Sequence, residues 1–248
     1  MLALVAACGG DSDTGSGGGS IVIATVTRPA GDTAGAQVTT TADAGSPAAT
    51  TETGAGSQLP PANGSAVLSG FVYPIAGACL PQGDQLMPDA PRAYRDGIHE
   101  GVDFYAVDNC TTIGLGTPVV AAKAGRIIRI DHGYVDLTPQ ALAALRANPT
   151  AEASVDGFRG RQVWIDHGGG IVTRYCHLSG VAPELQVNDV VAQGTAIAYV
   201  GESGTPGSVE SPGTEFHLHW EVRVGDSYLG AGLDPAQARA TFLALFNP

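Results

Sequence analysis

The chain has 248 residues, 35 of them glycine and 16 proline, and a formal net charge of −12. This acidic balance argues against a nucleic-acid-binding protein, which would carry a basic patch or stripe. A chain of this length forms one or two domains.

The first residues, MLALVAACGGDSD, form a short apolar run that ends in small residues and Cys8. The run is too short to span a bilayer and is typical of the end of a secretory signal. Residues 5–8 (VAAC) resemble the processing box of bacterial lipoproteins, in which the cysteine becomes the lipidated first residue. We therefore predict that residues 1–8 are a signal remnant and that Cys8 carries a lipid anchor on the outer face of a membrane. The alternative is an uncleaved apolar terminus with an incidental cysteine.

Residues 9–65 are rich in Gly, Ser, Thr and Ala, in loose repeats such as GSGGGS and TTETGAGS. Such a segment buries too little apolar surface to offset the entropy of ordering it, which predicts a disordered linker. A flexible coil of this length has a typical end-to-end span of about 40 Å. The linker would let an anchored domain search a nearby layer such as the cell wall.

From residue 66 to residue 248, short apolar runs alternate with Gly, Pro, Asn and Asp turns, a spacing that predicts a mostly antiparallel β domain. Residues 131–160 interrupt this alternation and are interpreted as an insertion between two strands, carried at the rim. Within it, Thr138 as N-cap and Pro139 at the first helical position predict a helix. A second, short helix is predicted at the C-terminus, capped by Asp234.

Two of the four cysteines flank the segment that contains His99. Cys79 and Cys110 would form a disulfide if the protein is exported. The bond would close a loop of about 30 residues and stabilise the fold by about 3–4 kcal/mol. The alternative is two buried thiols. Cys176 lies in the middle of a predicted strand and is interpreted as a small buried hydrophobic residue.

The stretch Phe216–Val224, FHLHWEVRV, alternates apolar and polar residues without a break. This pattern predicts a half-buried strand whose polar face looks outward. His217 and His219 lie on that face with Cα atoms about 6.5–7 Å apart. Their imidazoles can converge on one ion, or on one ion and the water beside it. The alternative is a pair of surface histidines.

A carboxylate and the four other histidines are the remaining candidates. Asp103 begins an apolar strand four residues after His99, where a carboxylate is unexpected without a partner. Residues four apart in a straight strand are about 13 Å apart, so binding one metal requires a bend, which Gly101 allows. Two other histidines precede glycine and are interpreted as turn residues, namely His132 and His167.

His177 lies in TRYCHLSG and shares its parity with Thr173 and Tyr175. The pattern places it on one face of a strand, close to a turn.

Together, His99-x3-Asp103, the Tyr-x-His-Leu around His177 and the terminal His-x-His resemble the lysostaphin-type, LytM-like zinc endopeptidases. These enzymes cut peptide bonds in bacterial peptidoglycan. The resemblance covers about residues 71–235 and includes GTPVVAAKAGRI and HGGGIVTRYCHLSG. It implies a small antiparallel β-sheet groove with zinc on its floor.

The resemblance also implies a role for each matching residue. His99, Asp103 and His219 would bind one Zn²⁺ per chain, and His177 and His217 would be catalytic histidines that are not ligands. Two histidines and one carboxylate leave a fourth position open, which is typical of a catalytic zinc. A water bound there has its pKa lowered towards about 7.

Three segments depart from the family pattern and would form walls of the groove, so they leave the substrate peptide open. They are residues 131–160, residues 79–96 and the GTPGSVESPGTEF that precedes His217. Tyr94 is a candidate for a transition-state contact because it is close to His99 in sequence.

We therefore predict an exported, monomeric zinc endopeptidase of the cell envelope that acts on a stem or cross-bridge peptide of peptidoglycan. The first alternative is a catalytically weak or inactive member that binds or activates another cell-wall hydrolase. A carbohydrate- or lipid-binding β domain is a further alternative, but it does not explain Asp103 beside three histidines on strands.

Overall fold

The structure is a computed structural model that describes residues 68–107 and 109–247. The predicted signal remnant with Cys8 and the predicted linker lie outside these ranges. No helix in the described part of the chain is long and apolar enough to cross a membrane.

The described residues form twelve short strands, four α-helices and two short 3₁₀ helices. The strands are β1 (Pro91–Arg92), β2 (Gly97–Ile98), β3 (Val102–Phe104), β4 (Pro118–Val120), β5 (Gly125–Ile130), β6 (Val163–Asp166), β7 (Ile171–Cys176), β8 (Leu178–Val181), β9 (Val190–Val191), β10 (Ala196–Val200), β11 (Leu218–Val224) and β12 (Ser227–Tyr228). The α-helices are α1 (Pro139–Ala147), α2 (Glu152–Arg159), α3 (Gly207–Glu210) and α4 (Pro235–Leu245).

All strand pairings are antiparallel. Six strands of a seven-stranded sheet follow the order β12-β11-β7-β6-β5-β9. The seventh strand, β3, pairs with the first three residues of β11. A three-stranded sheet has the order β4-β10-β8, and β1 pairs with β2. The prediction of a mostly antiparallel β fold with a few helices is confirmed.

The main core lies on the face of the large sheet formed by alternate residues of β3, β7 and β11. Trp220 is opposite Tyr175 in β7 and Val102 in β3, and all three side chains are buried. Phe242 of α4 packs edge-on against Trp220. Burying each large apolar side chain stabilises the fold by about 1.5–3 kcal/mol. The core therefore fixes the register of β11, and with it the position of every polar residue on the opposite face.

That opposite face of β11 is not exposed, and the prediction that it looks outward is wrong. The exposed fractions of His217, His219 and Glu221 are 4%, 6% and 0%. The physical reason is a layer of charged side chains over the strand. Arg159, at the end of α2, and Arg174, on β7, both donate hydrogen bonds to Glu221.

Helix α1 has the N-terminus that the sequence predicts, since Thr138 Oγ1 accepts a hydrogen bond from the Ala141 amide at 3.1 Å. Helix α2, in the same insertion, was not predicted. Its N-cap residue, Ala151, makes no side-chain hydrogen bond, so the usual start signal is missing. Tertiary contacts hold it instead, including the Arg129–Asp156 ion pair at 2.7 Å.

The C-terminal helix α4 begins with a capping box. The Asp234 side chain accepts a hydrogen bond from the Gln237 amide, and the Gln237 side chain accepts one from the Asp234 amide. The structure also joins Cys79 to Cys110, with their Cα atoms 5.6 Å apart, and leaves Cys176 as a free, buried thiol.

Candidate metal centre and catalytic site

Three buried side chains converge where β3 pairs with β11. Asp103 lies directly opposite His219 in this pairing, and the chain bends at Gly101 to bring His99 alongside them. His99 Nε2 is 2.9 Å from both Asp103 Oδ1 and His219 Nδ1, and His219 Nδ1 is 2.8 Å from Asp103 Oδ1. The three atoms form a nearly equilateral triangle.

Gly101 is required by close approach to β11. A Cβ atom at this position would lie 2.4 Å from the carbonyl oxygen of Trp220. Glycine therefore lets the segment between β2 and β3 bend close to β11. A bend here was predicted as the condition for His99 and Asp103 to bind the same metal ion.

The second nitrogen of each imidazole is held by an outer hydrogen bond. His99 Nδ1 donates to the carbonyl oxygen of Met87 at 2.8 Å, and His219 Nε2 donates to Glu221 Oε1 at 3.2 Å. The other two nitrogens, His99 Nε2 and His219 Nδ1, are then left with lone pairs that face each other and Asp103. Such outer partners are the usual way to orient metal-binding histidines.

These three donors suit zinc. Two imidazoles and one carboxylate are a common donor set of catalytic zinc sites, with metal–ligand distances of about 2.0–2.2 Å. Ligand atoms at those distances in a tetrahedral arrangement are about 3.4 Å apart, so the triangle needs to widen by only about half an ångström. Three lone pairs this close repel one another unless a cation lies between them, and a metal ion satisfies all three at once.

The protonation of the three groups is consistent with this use. Burial lowers the pKa of His99 to about 4, so this imidazole is neutral at neutral pH. Burial acts to raise the pKa of Asp103, but its contacts with His99 and His219 hold it well below its usual range. Burial acts to lower the pKa of His219, and its hydrogen bonds with Asp103 and Glu221 raise it overall. A proton and a metal would therefore compete for His219 Nδ1.

Asp103 also has a partner that the sequence analysis missed. Arg92 donates a hydrogen bond to Asp103 Oδ2 at 2.8 Å, while Oδ1 faces the two histidines. This contact fixes the carboxylate plane. No local pattern links Arg92 to Asp103, because the contact depends on the pairing of β1 with β2.

Two more histidines lie beside this cluster with their Nε2 atoms available. His177 Nδ1 donates to the Ser203 carbonyl oxygen at 2.8 Å, and His217 Nδ1 donates to the Glu215 carbonyl oxygen at 2.6 Å. Their ring centroids are 4.6 Å apart. His217 Nε2 is 3.8 Å from Asp103 Oδ1. Burial lowers the pKa of both rings, so each is a neutral base at neutral pH.

His177 reaches this position through an unusual backbone conformation. Tyr175 is opposite Trp220 on the core face, so strict alternation would place His177 on that face, away from His219. Instead, His177 lies between β7 and β8 with φ of 60°, and its ring centroid is 5.7 Å from that of His219. The prediction that His177 shares a face with Thr173 and Tyr175 is therefore wrong, because a left-handed residue ends the alternation.

Two tyrosines lie near these histidines. Tyr105 stacks on His217 with ring centroids 4.1 Å apart and an interplanar angle of 10°. Tyr105 was not predicted from the sequence, although it shares the parity of Asp103 in the same predicted apolar strand. The predicted candidate, Tyr94, is 42% exposed and packs edge-on against Phe158 at 5.5 Å.

The four predicted site histidines and Asp103, together with both tyrosines, line one cavity of about 350 Å³. The remaining wall residues come from residues 85–95, from α2 and from the segment before β11; they are Gln85, Leu86, Arg92, Arg95, Val155, Phe158, Arg159, Thr205, Pro206 and Glu215.

The other two histidines lie elsewhere. His132 is in an exposed turn, with Nε2 2.7 Å from the Leu185 carbonyl oxygen. His167 precedes the β6–β7 turn but is buried, with Nδ1 2.9 Å from the Ala124 carbonyl oxygen and Nε2 2.9 Å from Thr173 Oγ1. Its interpretation as a turn residue is incomplete, because it is part of the packing beneath the sheet.

Comparisons with known proteins bear on this site. The model of peptidase family M23 matches residues 97–231, more than half of the chain. Members of this family are zinc-dependent peptidases. No curated protein sequence matches the chain.

Among solved structures, a zinc-containing peptidase from Vibrio cholerae is 22% identical over 64% of this chain, with a TM-score of 0.41. The chain spans 38% of the length of that protein. The catalytic domain of the antimicrobial peptidase lysostaphin from Staphylococcus simulans is also 22% identical, over 60% of this chain and 85% of its own, with a TM-score of 0.38.

Proposed function

Because the chain belongs to peptidase family M23, as the sequence motifs predicted, we propose that it is an exported zinc endopeptidase that hydrolyses peptide bonds in bacterial peptidoglycan. His99, Asp103 and His219 hold one zinc ion, and His177 and His217 act as acid–base catalysts. The observation that carries the proposal is the triangle of His99 Nε2, Asp103 Oδ1 and His219 Nδ1, with sides of 2.8–2.9 Å.

The chain's own residues supply the rest of the mechanism. A zinc ion held by His99, Asp103 and His219 would supply Lewis-acid chemistry, polarising a carbonyl group and lowering the pKa of a water molecule. His177 and His217 present Nε2 to the same cavity, where they accept the proton of the attacking water and return it to the leaving amine. Their Nδ1 atoms are bonded to backbone carbonyl oxygens, so the tautomer that leaves Nε2 free is fixed. Tyr105 holds the His217 ring in place by stacking.

One comparison of three variants tests these roles. His219→Ala removes a ligand, so zinc affinity should fall steeply and stability should fall with it. His177→Ala and His217→Ala should keep the metal but lower turnover of peptidoglycan by a factor of about 10²–10⁴. Zinc content by elemental analysis and cleavage by mass spectrometry of released peptides are measured for the three side by side.

The same measurements distinguish the alternatives. The wild-type protein should contain one zinc ion per chain after reconstitution. A protein that binds zinc but releases no peptide from any peptidoglycan would instead be an inactive member that binds or activates another hydrolase. Loss of metal from His217→Ala together with its retention in His219→Ala would reverse the roles assigned to these residues.

Export and anchoring belong to the proposal as well. The lipoprotein-like box ending at Cys8 supports attachment to the outer face of a membrane, which would place the domain, as a monomer, next to its wall substrate. In fractionated cells, the Cys8→Ser variant should be found in the soluble fraction, whereas the wild-type protein should be found in the membrane fraction.

A further inference from the structure

The cavity that contains the five site residues has a charge balance unlike that of the whole chain. The chain has 24 acidic and 12 basic residues. The cavity is nevertheless lined by three arginines and two carboxylates, namely Arg92, Arg95, Arg159, Asp103 and Glu215. Only an arginine whose charge no carboxylate of the chain compensates is free to bind an anionic ligand group.

Two of these arginines are already paired within the chain. Arg92 bonds to Asp103 Oδ2 at 2.8 Å, and Arg159 bonds to Glu221 at 2.6 Å and also to Glu100. Both guanidinium groups therefore hold other parts of the site, and their charges are compensated.

Arg95 is different. It is 8% exposed, and among the residues that the structure describes it forms no ion pair with a carboxylate. One of its terminal nitrogens donates to the carbonyl oxygen of Ile98. Arginine stays charged in proteins and carries five N–H donors, so the bond to Ile98 leaves donors that can bind a ligand in the cavity. Because this guanidinium lines the cavity and has no carboxylate partner among the described residues, an anionic group that enters with the substrate can pair with it.

The backbone holds Arg95 in place next to the catalytic residues. It ends a short 3₁₀ helix, Ala93–Arg95, between the paired strands β1 and β2, and the next residue, Asp96, has φ of 48°. The same segment carries Arg92, which contacts Asp103, and leads directly to His99. The Arg95 backbone is thus fixed relative to the metal ligands at both ends of its segment.

We propose that Arg95 binds a carboxylate of the substrate peptide, so that the enzyme selects peptides with a free carboxylate close to the scissile bond. This inference rests on the proposed peptidase function and names its substrate class. A guanidinium group matches a carboxylate through two parallel hydrogen bonds. Leu86, Val155 and Phe158 line the same cavity, and apolar surroundings strengthen such a pair by reducing screening by water.

The test uses peptides released from peptidoglycan in two forms, one with free carboxylates and one in which ammonia and a carbodiimide have converted them to carboxamides. Binding is measured by calorimetry on the zinc-loaded full chain carrying His177→Ala, so that turnover does not interfere. The free-carboxylate form should bind about 10–100-fold more tightly, the scale of a hydrogen bond to a charged group. In the active enzyme the preference should appear in KM more than in kcat.

Variants of two arginines identify the residue responsible. Arg95→Gln should remove the preference, and Arg95→Lys should keep part of it, because lysine retains the charge but not the paired hydrogen bonds. Arg126→Gln is the matched control, since Arg126 also lacks a carboxylate partner in the described residues, bonds to the Asn188 carbonyl oxygen at 2.7 Å, and does not line the cavity. This control should keep the full preference.

Equal binding of the two peptide forms, or a preference that survives Arg95→Gln, would overturn the inference. If Arg95→Gln does not fold by circular dichroism, Arg95→Lys decides, and an unchanged preference in that variant refutes the assignment. Selective binding through Arg95 without cleavage of either form would support the inference about binding and refute the proposed peptidase activity, so the two failures are distinguishable.

Discussion

Substitution of Glu221 is the strongest test of how the metal ligands are positioned. Its side chain is fully buried, and it accepts hydrogen bonds from His219 Nε2 at 3.2 Å and from Arg159 at 2.6 Å. Arg174 and Arg223 each approach its second oxygen at 3.3 Å. Burial acts to raise the pKa of Glu221, but its contacts with His219 and Arg159 hold it well below its usual range, so it is a carboxylate.

Glu221→Gln keeps the shape of this side chain but removes its charge and one acceptor oxygen. The new amide nitrogen must face either an arginine or His219, all of which are donors. Breaking a buried ion pair costs about 3–5 kcal/mol. For a domain of 150–250 residues this corresponds to a fall in Tm of about 6–20 °C. Loss of an outer partner of a metal-binding histidine lowers metal affinity by about 10–100-fold.

The measurements are calorimetric unfolding of the zinc-free protein and zinc affinity by competition with a coloured chelator. Glu210→Gln is the control, because Glu210 also bonds to an arginine through both oxygens, at 2.5 and 3.0 Å from Arg146, but is exposed. It should leave Tm and zinc affinity nearly unchanged. A Glu221→Gln protein with lower Tm and unaltered zinc affinity would refute the positioning role and leave Glu221 a purely structural residue.

Three further predictions concern stability. The double variant Cys79→Ser/Cys110→Ser should lose about 3–4 kcal/mol in urea unfolding, the chain-entropy estimate for the separation of 31 residues that the disulfide closes; a loss below 1 kcal/mol would contradict it. Burial lowers the pKa of His167, so the native state stays neutral while the unfolded state gains a proton below about pH 6.5. The free energy of unfolding should therefore fall as pH drops from 7 to 5, and by less in His167→Gln; equal slopes would exclude this effect. Gly101→Ala should lower the free energy of unfolding by about 1–3 kcal/mol and weaken zinc binding, because its Cβ clashes with β11. Gly114→Ala is the control and should be tolerated, because a Cβ at that position meets nothing within 4 Å.

The alternation of β11 was predictable because packing around Trp220 requires one apolar face. What alternation does not reveal is the partner strand or its register. Only the pairing of β3 with β11 places Asp103 opposite His219, and this pairing joins residues 116 positions apart in the chain. The sequence indicated the two ligands through resemblance to a family, not through local physics.

The residues that sequence reasoning missed are those whose role depends on a distant contact or on a single backbone angle. His177 was found, but its left-handed conformation was not, since nothing in TRYCHLSG distinguishes a left-handed histidine from a strand residue. Glu221 looked like an outward-facing strand carboxylate. Its burial depends on Arg159, which lies 62 residues away on a helix that has no capping signal.

The insertion, residues 131–160, is therefore part of the site and does not lie only at its rim. Two neighbouring residues of α2 perform separate tasks, because Phe158 packs against Tyr94 in the cavity wall while Arg159 bonds to Glu221 beneath His219. Phe158→Ala should raise KM for peptidoglycan fragments and leave zinc affinity unchanged. Arg159→Gln should lower zinc affinity, as Glu221→Gln does, because the carboxylate that orients His219 loses its closest partner.

These two variants serve as controls for each other, since both alter the last turn of the same helix. If each changed KM and zinc affinity to the same extent, the helix would be acting only through the general stability of the insertion. Separate effects would show that one inserted helix both shapes the substrate wall and supports the metal ligand. An insertion with both roles can change substrate preference through Phe158 without disturbing the metal site, provided that Arg159 stays in place.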